Sequence, residues 1–146
     1  MKAYPHHYTA GARGAPAGLV PLSVEGLPPI ESAPPPEFDG PGGVWSPETL
    51  LVASIADCFI LTFRSIARAT RFEWDDLHCT VEGVLDRVAG VPYFTRFTTR
   101  ATLTIRAGAN QEKAREHLER AEKLCLISNS LRSERLLEIE VVVVAP

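Results

Sequence analysis

The sequence predicts an α+β fold, with helices packed on an antiparallel-rich sheet. Three observations carry that expectation. One long apolar stretch has helix-start chemistry and no Gly or Pro. A second stretch alternates apolar and polar residues with a period of two. The apparent order along the chain is strands, long helix, two strands, helix, strand. At 146 residues the chain fits a single domain, residues 1–146.

The elements follow in order. Residues 3–10 and 18–25 read as short extended segments, with the glycines of "TAGARGAPAG" turning the chain between them. Residues 27–47 hold seven of the twelve prolines and read as an irregular arm, unsuited to helix or sheet. At Ser46-Pro47-Glu48 the chemistry changes. Serine caps, proline suits the first helical position, and a carboxylate complements the helix dipole. The helix is expected over 47–70, roughly 35 Å at 1.5 Å per residue. It is apolar on most sides, which predicts a central, buried helix. "LHCTVEGVLDRV" and "YFTRFTTRATLTIR" then read as paired strands turned by "VAGVP". In the second strand Tyr93, Phe97, Ala101, Leu103 and Ile105 are expected on one face, with Arg96, Thr98, Arg100, Thr102, Thr104 and Arg106 on the other. A second helix is expected from Asn110, with Ala114, Leu118, Ala121 and Cys125 in one apolar stripe. "LLEIEVVVV" closes the sequence as a strand.

Composition narrows the function. The formal net charge is −3, with acidic and basic residues interleaved, so no nucleic-acid footprint is present. The apolar run Leu50–Phe63 is shorter than the roughly 20 residues of a membrane span, which favours a core helix over a membrane one. "MKAYPHHYTA" has no apolar signal core. With three cysteines, the expectation is a cytoplasmic chain with reduced thiols.

Cys58, in "ASIADCFI", admits four readings: core filler, metal ligand, half of a disulfide, or nucleophile. Cys125 is open to the same readings. Cys79 stands next to His78 on a strand, where neighbours point to opposite faces, and reads as structural. Metal-ligand spacing is absent, with neither C-x-x-C nor H-x-x-x-H. Glu48, Leu51, Ile55, Cys58 and Thr62 follow three-four-three-four spacing and share one helix stripe. Ten residues separate Glu48 from Cys58 by about 15 Å, so they cannot touch along one helix. Two antiparallel copies about a twofold axis would bring Glu48 of one to Cys58 of the other.

"SPETLLVASIADCFILTF" resembles the central helix of the OsmC/Ohr family, the osmotically inducible and organic hydroperoxide resistance proteins. Pro47, Glu48 and Cys58 match its helix start and the cysteine ten residues after the glutamate. "KLCLISNSL" resembles the family's second cysteine with a following Ser-Asn pair, and the separation of Cys58 and Cys125 is typical. Two positions depart from the pattern: Leu126 stands where proline is frequent, and Asp57 where the residue is usually small or apolar. The resemblance covers nearly the whole chain. It implies an intertwined OsmC-like homodimer, with antiparallel-rich sheets around a long central helix. It also implies a thiol-dependent peroxidase acting on organic hydroperoxides. Cys58 would be the peroxidatic nucleophile and Cys125 the resolving thiol. Glu48 would hold an N-terminal arginine, carried over to Arg13, which stabilises the thiolate. A lipoyl-type dithiol would recycle the disulfide, and no cofactor or metal is needed. Phe59, Phe63 and Trp45 are the candidate pocket walls. The competing class is a non-catalytic dimeric binding module on the same scaffold.

Overall fold

The computed structural model describes residues 1–145. The chain forms two compact units, Met1–Leu51 and the residues from Val52 onward.

In the first unit, strands β1 (Gly11–Ala12), β2 (Val20–Ser23) and β3 (Ile30–Ser32) form an antiparallel sheet in that order. Residues 3–10, expected as extended strand, lie outside it, and pairing starts only where Gly11 faces Ser23. The arm expected to be irregular supplies β3 and a single 3₁₀ turn at Pro36–Phe38. The reason lies in the spacing of its prolines. Ile30, Glu31 and Ser32 keep their backbone N–H groups, while Pro28, Pro29 and Pro34–Pro36 flank them. The turn folds tightly back, and a side chain at Gly40 would overlap the Pro34 carbonyl.

Helix α1 spans Pro47–Thr70, the predicted extent. Its start is a reciprocal cap: Thr49 N–H donates to Ser46 Oγ at 3.1 Å, and Ser46 N–H donates to Thr49 Oγ1 at 2.8 Å. Its end is a left-handed Arg71 with φ 54°, after which Phe72 N–H returns to the Ala67 carbonyl at 2.9 Å.

In the second unit, β4 (Asp76–Val88) and β5 (Val91–Arg106) form an antiparallel hairpin. Ala89 and Gly90 make its two-residue turn, both at positive φ. Helix α2 (Gln111–Leu124) and short helix α3 (Leu126–Asn129) then carry the chain to β6 (Glu134–Val144). Asn110 caps α2, its side chain accepting from Lys113 N–H at 2.9 Å. β6 runs parallel to β5, so among the described residues three of the four strand pairings are antiparallel and one is parallel. The order is β4-β5-β6.

The core packs Phe59, Phe63, Ile66 and Ala67 of α1, Leu77, Ala101, Leu103 and Ile105 of the sheet, and Ala114, Leu118 and Ala121 of α2. The predicted α2 stripe is buried along its length, Cys125 included. Phe97 is buried as expected, but Tyr93 is not part of that row. Thr95 is an extra residue on β5, since Val84 pairs with Arg96 and Leu85 with Phe94. A bulge of this kind breaks the alternation. Thr98, expected on the open face, is also buried.

α1 departs from the all-round burial predicted for it. Its buried residues are Ile55, Phe59, Phe63, Ile66 and Ala67, one stripe spaced about four apart. Leu61, on another face, is 49% exposed. By length and composition α1 could cross a membrane, with 24 residues and a mean hydropathy of 1.8 over its most apolar window. The stripe packed on the sheet is the pattern of a core helix instead.

Candidate active site

Cys58 lies on the side of α1 turned from the core stripe and is half-buried. It lines an open cleft of about 470 Å³ with Ser54, Asp57, Leu61, Thr62 and Ser65 of α1, and Leu126 and Ile127 of α3. The sequence placed Cys58, Ile55 and Thr62 on one buried stripe. The structure separates them: Ile55 is in the interior, while Cys58 and Thr62 open to the cleft. Thr62 Oγ1 lies 3.9 Å from Cys58 Sγ, within sulfur hydrogen-bond range.

The expected walls need correction. Phe59 and Phe63 are fully buried in the core and do not line this cleft. A residue one position after the cysteine is turned by about 100° around the helix, which carries Phe59 to the sheet side. The apolar walls are Leu61, Leu126 and Ile127 instead. Trp45 belongs to the first unit and is 48% exposed. Asp57 is exposed and lines the same cleft as Cys58, so its carboxylate is at the mouth and not in the interior.

Cys125 is placed by a break in helical structure. The sequence put it on the α2 stripe. It is buried there, but its own backbone is extended, with φ −62° and ψ 105°, between α2 and α3. This kink leaves the Cys125 sulfur close enough to Cys58 to be perturbed by it, and both are free thiols. Burial pushes the Cys125 pKa up. The polar hydroxyl and backbone N–H of the buried Ser128 oppose this, while the neighbouring Cys58 sulfur raises the pKa further. The net direction is up, so Cys125 keeps its proton. The Ser-Asn pair noted in sequence thereby gains a physical role: Ser128 supports the sulfur it follows by three residues.

Cys79, on β4, is half-buried beside the core. Burial, the Glu122 carboxylate and the Cys125 sulfur push its thiol up to about 12. It is held as a thiol, in accord with the structural role expected of it.

Glu48 and Arg13 both belong to the first unit. Arg13 is exposed just after β1, and its N–H donates to the Pro21 carbonyl at 3.3 Å. Glu48 is partly buried, and its Oε2 is buried without a hydrogen-bond partner in this single chain. Among the described residues no ion pair joins the two. Also among the described residues, no group of three or more His, Cys, Asp or Glu side chains is arranged to hold a metal ion. Sequence reasoning missed the roles of Ser128 and Thr62. It also missed Glu122 and Arg135, whose contacts join distant segments and leave no local pattern.

Comparison with known proteins places the chain. The uncharacterized protein YmaD of Bacillus subtilis is 28% identical over 109 residues, 73% of each chain. An organic hydroperoxide resistance protein from Legionella pneumophila is 27% identical, with a TM-score of 0.69, covering 96% of this chain and 99% of that one. An OsmC-like protein of unknown function from Vibrio cholerae shares the fold at a TM-score of 0.82 and 18% identity, covering 92% of this chain and 99% of that one. The family model described as OsmC-like protein matches residues 40–140, and the chain belongs to that family.

Proposed function

We propose that the protein is a thiol-dependent peroxidase that reduces organic hydroperoxides to alcohols. One observation carries the reading: two free thiols from distant parts of the sequence lie near one another, Cys58 at an open cleft and Cys125 buried behind it, next in sequence to the cleft residues Leu126 and Ile127. The likeness to an organic hydroperoxide resistance protein at 27% identity supports it.

The Cys58 thiolate attacks the terminal peroxide oxygen. An S–O bond forms, the O–O bond breaks, and the alkoxide leaves as an alcohol after taking a proton. Cys58 is then a sulfenic acid. The Cys125 sulfur displaces its hydroxyl, giving the Cys58–Cys125 disulfide and water. A dithiol of the lipoyl type restores both thiols by exchange. The proton held on Cys125 fits a resolving thiol, which must not compete with Cys58 for the peroxide. Leu61, Leu126 and Ile127 supply apolar contact for the organic group.

In this reading both units act as one domain in an intertwined homodimer located in the cytoplasm. Glu48 of one subunit approaches Cys58 of the other and orients the guanidinium of Arg13 against the thiolate. The unpaired, buried Glu48 Oε2 is what such a pairing would satisfy. The test is sulfenic acid trapping on Cys125→Ser after one equivalent of tert-butyl hydroperoxide. The reading expects one trapped sulfenic acid, on Cys58, and slower formation when Glu48→Ala or Arg13→Ala is added. No adduct on Cys58 would overturn the peroxidase. Full-speed formation in both added variants would remove Glu48 and Arg13 from the mechanism.

A further inference from the structure

The break at Cys125 needs an explanation, because no glycine or proline imposes it. Helix ends leave carbonyl groups without partners, and those must be satisfied when buried. The Cys125 N–H keeps only a long bond to the Glu122 carbonyl, at 3.4 Å. The rest is supplied from β6. Arg135 Nε–H donates to Glu122 Oε1 at 2.7 Å, and its Nη2 donates to the Glu122 carbonyl. Its Nη1 donates to Asn129 Oδ1 at 2.7 Å. Asn129 in turn donates from Nδ2 to the Lys123 carbonyl at 3.1 Å. One guanidinium thus holds the end of α2, three residues before Cys125, and the end of α3, four residues after it.

This is not a surface ion pair. The Arg135 and Glu122 side chains are 25% and 14% exposed. Arginine is suited to the place because its planar fork reaches several acceptors in fixed directions, which a lysine ammonium cannot do. The six residues between the two fixed points include Cys125, Ser128 and the cleft residues Leu126 and Ile127.

We propose that Arg135 is a positioning residue: by bridging α2 and α3 across Cys125, it keeps that thiol aimed at Cys58 and sets the rate at which their disulfide closes. This rests on Cys58 and Cys125 being the redox pair, but not on peroxide being the oxidant. The guanidinium touches neither sulfur. It lowers the rearrangement needed before the two sulfurs can react.

The test uses glutathione disulfide on the full-length protein. Cys58 attacks it to give a protein–glutathione mixed disulfide and one glutathione. Cys125 then attacks the Cys58 sulfur, forming the internal disulfide and releasing the second glutathione. Quenched samples weighed intact give both rates. For Arg135→Gln we expect the first rate within about twofold of wild type and the second slowed about tenfold or more. Asn129→Ala, which removes one prong and leaves the Glu122 pair, should slow closure by a smaller factor. Arg135→Lys should recover only part of the loss. Urea melts establish that each variant is folded, and a variant that does not fold is replaced by Asn129→Ala as the deciding protein. Equal closure rates in wild type and the folded variants would overturn the proposal while leaving the peroxidase reading intact. Wild type that closes with glutathione disulfide yet ignores organic peroxide would overturn the peroxidase reading alone. Wild type that closes with neither glutathione disulfide nor tert-butyl hydroperoxide would overturn both.

Discussion

Two parts of α2 are fastened in different ways. Toward its middle, the buried His117 binds Thr70 at the end of α1, with Nε2 2.7 Å from Thr70 Oγ1, and its ring lies against Phe72 at 5.1 Å. Around it Ala114, Leu118 and Ala121 are fully packed. At its C-terminal end the helix stops at Cys125, takes an extended residue, and is held from outside by Arg135. The first fastening is close packing, and it leaves no room for chemistry. The second presents a thiol at a bend, where a small backbone change can move it. In the proposed reading, the part of α2 that supplies stability is separate from the part that presents the resolving thiol.

This comparison can be broken or sharpened by experiment. The largest effect is expected from Cys58→Ser, which should lower organic peroxide consumption by about 10³-fold or more without changing the thermal midpoint much. Comparable turnover in that variant would remove the reactive end from the account. Next is Leu118→Ala in the packed part. Deleting a buried leucine side chain should cost about 2–5 kcal/mol of stability in a urea melt. The rate of disulfide closure in the folded fraction should stay near wild type, since Leu118 is two turns from Cys125. A large drop in closure would show that the two parts are not separable.

A smaller, pH-dependent effect belongs to His117. Burial lowers its pKa, the charges of Lys113 and Arg120 lower it further, and Glu116 opposes them. The unfolded imidazole therefore takes a proton more readily than the folded one. Its contribution is fully present above about pH 6.5 and is lost as pH falls through that value toward the lower folded pKa. His117→Asn should show a smaller drop in thermal midpoint between pH 7.5 and 5 than wild type. An unchanged acid dependence would mean that His117 is not the group being titrated. The smallest effect is expected on the open face of the sheet. Arg100 pairs with Glu138 at 2.9 Å and Glu82 at 3.8 Å, all exposed, so Arg100→Gln should shift stability by less than about 1 kcal/mol and leave thiol chemistry untouched.

Much of the scaffold was legible in the sequence, for local reasons. The Ser46-Pro47-Glu48 start and the absence of Gly and Pro marked α1, and "VAGVP" marked the hairpin turn. The direction of β6 was not legible, because a strand pattern alone does not say whether its neighbour runs parallel. The walls of the cleft were misread at Phe59 and Phe63, since an apolar helix sequence does not reveal which side meets the sheet. Cys58 and Cys125 were singled out by their match to a family pattern. Spacing could not show that Cys125 sits at a break between α2 and α3, nor that an arginine ten residues later binds on both sides of it.

The central claim is that Cys58 and Cys125 are one redox pair and Cys79 stands apart. The most direct measurement is thiol counting and peptide mapping of the wild-type protein after one equivalent of tert-butyl hydroperoxide. The account predicts the loss of two thiols, a single disulfide joining Cys58 to Cys125, and Cys79 still reduced. Three intact thiols, or a disulfide that includes Cys79, would contradict it.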